Sequence, residues 1–186
     1  FQRTTESWVD RANIAIRSRI SLMEIKGLIT RGEEMPLDLS DFLEKLKARV
    51  RIAEEWVNCL EDVIPCPVTH EGKPEMLQWM DGMRKGLKEG QYGRLHDLAS
   101  EGSRIPVEVG AVKLLQVELD AKNWTTKANR WIPGHSDGKR GKLMDIRDHI
   151  EKAVVLRDKL ALSDSEKYAW VLEGEAELVS VVRAAD

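Results

Sequence analysis

Cysteine, strand-like alternation and long apolar runs are all scarce in this sequence, and each shortage removes a class of protein. Two cysteines, Cys59 and Cys66, are too few for a disulfide framework and fit a reducing compartment. No apolar stretch approaches the roughly 20 residues that span a bilayer, so no membrane partner is expected. No secretory leader is visible, and the chain opens on Phe1 rather than Met, which reads as an internal fragment of a longer protein. Charge of one sign is lacking too. Against 32 Asp and Glu stand 29 Lys and Arg, and a formal net charge of -3 does not indicate a generic polyanion binder. Alternation at period 2 hardly persists beyond Pro106-Val-Glu-Val, so a sheet is not expected.

What is present is helical. The 186 residues, enough for one large domain or two small ones, are 42% hydrophobic and 33% charged. That charge content exceeds the usual globular share of about 25% and suits amphipathic helices with charged outer faces. Leu43, Leu46, Val50, Ala53, Val57 and Leu60 follow a 3-4 spacing that predicts a long helix over 40–64, capped by Ser40 or Asp41 and ended by Pro65 and Pro67. A second seam of Leu114, Val117, Ala121, Trp124, Ala128 and Trp131 closes at Pro133-Gly134.

The chain also repeats itself. Ser21–Leu39 aligns with Gln91–Val109 at an offset of 70, placing Ile25 on Leu95, Leu28 on Leu98, Gly32 on Gly102 and Pro36 on Pro106. Ala53-x-x-Trp56 then matches Ala121-x-x-Trp124 at an offset of 68. Before each long helix a short one is expected, near 21–30 and 92–100, stopping at a glycine in the left-handed conformation. Each unit is then a short helix, a Gly-x-x-x-Pro corner and a long helix. A degenerate third copy follows, with Lys142-Leu-Met-Asp-Ile-Arg resembling Ser21-Leu-Met-Glu-Ile-Lys but lacking the corner. Internal repetition of this kind points to stacked helical units. The expected architecture is an all-α, elongated array of helical hairpins with units near 21–64, 91–132 and 142–186, and with 1–20 as the end of a preceding helix.

The chemistry-bearing residues give no catalytic, cofactor or metal site. His135-Ser-Asp137 with His149 has the form of an iron triad, but the pair sits in a Gly-rich loop rather than on the strands of a barrel. Cys59, Cys66 and His70 fall one ligand short of structural zinc, and packing is the preferred reading for Cys59. No nucleophile elbow appears, and the Gly-rich stretches 82–93 and 134–141 lack phosphate-loop spacing. The basic tract Lys139-Arg140-Gly-Lys142 offers at most a weak contact to nucleosomal DNA. Gly32, Pro36, Gly102 and Pro106 read as corner residues, with Trp56 and Trp124 as core. Trp131 and Trp170 break the repeat and are candidate contact surfaces.

The pattern Tyr92-x-x-Leu95-x-x-Leu98-x-x-x-Gly102-x-x-Ile105-Pro106-Val107, followed by Ala121-x-x-Trp124, resembles the helical repeat region of the JARID-type histone H3 lysine-4 demethylases, usually called the Plu-like domain. The match is best over Trp79–Ile132, fair over Trp8–Ile64 and weak from Lys142 onward. Such a resemblance implies a nuclear, multidomain chromatin enzyme. Its iron(II)- and 2-oxoglutarate-dependent jumonji domain, zinc finger and plant-homeodomain readers would lie outside these residues. No family catalytic residue maps onto this chain, which is read as a noncatalytic scaffold taking other domains or protein partners and no small-molecule substrate. Two other readings remain: a spectrin-like cytoskeletal or trafficking adaptor, disfavoured by the Gly-x-x-x-Pro corner, and a weak nucleic-acid-binding module acting through 139–142.

Overall fold

The computed structural model describes residues 2–64, 89–132, 142–160 and 169–185, and these are almost wholly helical. In chain order the elements are α1 (Gln2–Arg17), β1 (Ile20–Ser21), α2 (Leu22–Glu33), α3 (Ser40–Val63), α4 (Glu89–Arg104), β2 (Val107–Glu108), α5 (Gly110–Ala128), α6 (Leu143–Leu160) and α7 (Ala169–Ala185). The chain gathers into two compact units, Phe1–Leu115 and Gln116–Asp186. No described helix is long and apolar enough to cross a membrane.

Periodic apolar residues account for the first unit. Trp8, Ala12 and Ala15 bury one face of α1, and Leu22, Ile25, Leu28 and Gly32 do so on α2. On the 24-residue α3 the buried stripe is Leu46, Val50, Ala53, Trp56 and Leu60. The expected Leu43 and Val57 are only half-buried; next to Val57, Trp56 takes the place on the stripe. Leu95, Leu98 and Ala99 of α4 complete this core with Val107, Val109, Val112 and Leu115.

Helix ends differ from the sequence expectation in instructive ways. Leu39, not Ser40 or Asp41, precedes the first turn of α3 and offers no side-chain cap. Asp38 serves instead: its carboxylate accepts from the Ser40 N–H at 3.2 Å and from the Ser40 hydroxyl, and these bonds hold its pKa below the ordinary carboxylate value. The start of α2 carries a full capping box. Ser21 Oγ accepts from the Glu24 N–H while Glu24 Oε2 accepts from the Ser21 N–H, a reciprocal pair that the Ser-x-x-Glu spacing encodes.

The two short strands pair in parallel, Ile20 with Val107 and Ser21 with Glu108. The Pro106–Val109 alternation is the sequence trace of one of them. Arg19 secures this pairing from the side. Its guanidinium donates to the carbonyls of Gly102 and Ser103 at 2.9 Å each and to that of Val107 at 3.3 Å. Arg49 on α3 does the same for the end of α1, donating to the carbonyls of Ala15 and Ser18. Both arginines satisfy carbonyls at the negative end of a helix.

The second unit is built on Ala121, Trp124, Ala128, Ile132, Ile146, Ala153, Leu156, Val171 and Leu178. Helix α5 contributes Ala111, Val112 and Leu115 to the first unit and Ala121, Trp124 and Ala128 to the second. Its buried positions therefore do not form the single seam from Leu114 through Val117 that spacing predicts. Leu114 and Val117 are half-buried, whereas Leu115 and Leu119 are buried.

Candidate functional site

Among the described residues, three tryptophans make the same contact. The indole N–H of Trp8 donates to the carbonyl of Leu28 at 3.0 Å, that of Trp56 to Leu98 at 2.9 Å, and that of Trp124 to His149 at 2.9 Å. All three rings are buried, at 3%, 5% and 5% exposure. A buried indole N–H left unpaired would be costly, so each bond fixes where its ring can sit. The acceptors occupy matching sequence positions. Leu28 and Leu98 are 70 residues apart, and the offset of 121 that carries Leu22-Met-Glu-Ile onto Leu143-Met-Asp-Ile carries Leu28 onto His149.

Four residues beyond each acceptor the side chain is minimal: Gly32, Gly102 and Ala153. Gly32 lies inside α2, and a Cβ on it would stand 2.5 Å from Trp8 Cζ2 and 2.9 Å from Leu43. A Cβ on Gly102 would stand 2.7 Å from Val112 and 2.8 Å from Trp56. These glycines were expected to end their helices in the left-handed conformation. Neither does; each is a helical residue of the last turns with no positive φ, and the indole of the packed tryptophan is what excludes a side chain. The third junction is arranged differently. Ala153 is fully buried, and a Cβ on Gly174 of α7 would stand 3.3 Å from Trp124 Cζ3.

His149 gives the third junction polar chemistry that the other two lack. Its imidazole stacks on Trp124 with centroids 5.0 Å apart and planes 3° from parallel, and Trp131 approaches its edge at 5.1 Å and 78°. Its Nε2 lies 2.9 Å from the Trp124 carbonyl oxygen. Backbone and ring of the two residues are thus bonded reciprocally. Burial lowers the His149 pKa below its ordinary value; the bond to the Trp124 carbonyl opposes this, and Lys127 and Lys152 reinforce it.

The other sequence candidates fall in several places. Pro36 is exposed in the bend between α2 and α3, and Pro106 is half-buried at the entry to β2. Trp131, expected as a contact surface, is instead half-buried against the second core, because His149 offers its edge a partner. Trp170 stands in the first turn of α7. Lys142 is exposed, while Lys139 and Arg140 lie outside the described residues, as do Cys66, His70, His135 and Asp137. Cys59, read as packed, is exposed, since the neighbouring Leu60 occupies the buried stripe. Among the described residues no group of His, Cys, Asp or Glu could hold a metal ion.

Two shallow grooves mark the first unit. One, of about 460 Å³, runs between α1 and α2 over Ile14, Met23 and Gly27, with Arg11, Glu24 and Arg31 beside it. The other, about 860 Å³, lies between α2 and α3, where Lys26 pairs with Glu54 at 2.9 Å and Lys47 with Glu33 at 2.5 Å. Their borders mix both signs of charge.

Compared with protein-family models, with curated proteins and with solved structures, the chain matches none.

Proposed function

We propose that this chain is a noncatalytic helical scaffold, a repeat array that fixes the spacing of the domains or partners attached to it. The observation that carries the reading is the recurrence of the tryptophan junction. In each, a buried ring on one helix is hydrogen-bonded to, and packed against, the next amphipathic helix. A helix pinned by a directional bond and by a glycine-sized gap has little freedom to roll, which is what a spacer requires.

On the strength of the motif Leu95-x-x-Leu98-x-x-x-Gly102-x-x-Ile105-Pro106 with Ala121-x-x-Trp124, we further propose that the scaffold belongs to a JARID-type histone H3 lysine-4 demethylase in the nucleus. Iron, 2-oxoglutarate and zinc would then be bound by other parts of that protein. The test is to isolate the native polypeptide with an antibody raised against this chain. Removal of methyl groups from histone H3 lysine 4, dependent on iron(II) and 2-oxoglutarate, is expected in the precipitate. A polypeptide without that activity would remove the chromatin assignment and leave the scaffold standing. Turnover by the 186-residue chain alone would overturn the noncatalytic reading.

A further inference from the structure

Two of the three tryptophan junctions have leucine at the acceptor position, and the third has histidine. Leu28 and Leu98 carry no ionisable group. His149 brings one into the core of the second unit, 6% exposed and wedged between Trp124 and Trp131. We propose that the Trp124–His149 junction is a proton-sensitive joint: protonating His149 loosens α6 from α5 within the second unit, while the leucine junctions of the first unit stay closed.

The chemistry follows from the contacts. With Nε2 donating its hydrogen to the Trp124 carbonyl, the neutral ring keeps Nδ1 as its free lone pair, and an added proton goes there. The resulting charge sits in an apolar setting. The charges acting on the ring are both cations, Lys127 from α5 and Lys152 from α6, and α7 turns Val171, Leu178, Val181 and Val182 into the same cluster. Among the described residues the charges acting on the ring include no carboxylate to offset the added one, so the acid form is better accommodated once the ring reaches water.

The sign is fixed by linkage. Burial depresses the folded pKa, so the unfolded chain takes up its proton first, near histidine's ordinary value of 6.5. The junction's contribution is complete above that pH and is lost as pH falls from there through the folded pKa. A scaffold with this joint holds its full form at neutral pH and softens within the second unit in acid. The inference stands on the junction geometry and does not depend on the chromatin assignment.

The experiment is a nuclear magnetic resonance titration of the 186-residue chain from pH 8 to pH 5. It follows the His149 Cε1–H and the three junction indole N–H signals, assigned with His149→Gln and Trp124→Phe. A His149 midpoint below 6.5 is expected, with the Trp124 indole signal moving at the same midpoint and those of Trp8 and Trp56 holding still. Between pH 7.5 and 5.0 the melting temperature of the second unit should fall more in the unaltered chain than in His149→Gln or His149→Leu. The glutamine keeps a donor near the Nε2 position, and the leucine restores the residue found at the other two junctions. A midpoint at or above 6.5, as when attraction of the cation to the indole face prevails, overturns the proposal. So does an equal loss of melting temperature in all three chains. Should neither variant fold, the titration of the unaltered chain decides.

Discussion

Gly27 and Gly32 stand in the same helix, α2, and meet different surroundings. A Cβ on Gly27 would have nothing within 4 Å, whereas one on Gly32 would run into the Trp8 ring. Gly27→Ala should therefore stabilise the chain by about 0.5–1 kcal/mol through helix propensity alone. Gly32→Ala gains the same propensity but forces Trp8 or Leu43 aside, and overpacking of that kind costs about 1–3 kcal/mol. Urea unfolding of both variants measures the contrast directly. If Gly32→Ala proves as stabilising as Gly27→Ala, the ring does not need the gap. The Gly-x-x-x-Pro spacing made Gly32 and Gly102 visible in the sequence. Their reason was not visible there, because a left-handed turn and a missing Cβ leave the same letter.

At the scale of elements, Arg19 decides more than any residue that motif reading singles out. One guanidinium holds the α4 corner and β2 to the segment leading into β1 through three carbonyls. Replacing it with alanine should cost about 1.5–3 kcal/mol, the range for hydrogen bonds made by a charged group. Arg19→Lys should recover little, because an ammonium cannot reproduce the planar fork. Thermal unfolding of the two variants is the measurement; wild-type stability in Arg19→Lys would show that charge alone suffices. By contrast, the exposed pairs Lys26–Glu54 and Lys47–Glu33 contribute at most about 1 kcal/mol each. The capping box at Ser21 and Glu24 follows a local Ser-x-x-Glu spacing that the motifs singled out above did not include. Arg19 was not legible, since its carbonyl partners lie more than 80 residues away in sequence.

For the molecule as a whole, charge balance sets the expectation. With a net charge of -3 and an isoelectric point near 5.9, no long-range field draws the chain to duplex DNA. An electrophoretic mobility assay at physiological salt should show no shift. A salt-sensitive shift abolished by neutralising Lys139, Arg140 and Lys142 would instead install the basic tract as a binding element. The division into two compact units also belongs to this scale. It falls within α5, and no Gly, Pro or polar stretch in the sequence marks it.

The sequence by itself determined the all-α class, the placing of most helices and the burial of Trp56 and Trp124. All of these follow from local spacing: apolar residues three and four apart must share a helix face, and that face must leave water. Only the tertiary structure decided what each tryptophan meets. An indole N–H finds its acceptor 20, 42 or 25 residues away, across connections of different length, and no local pattern encodes that distance. The same holds for His149. As a letter it was a weak metal candidate in a helix. Folded, it is, among the described residues, the only junction acceptor with a titratable ring, and packing lays that ring flat against Trp124.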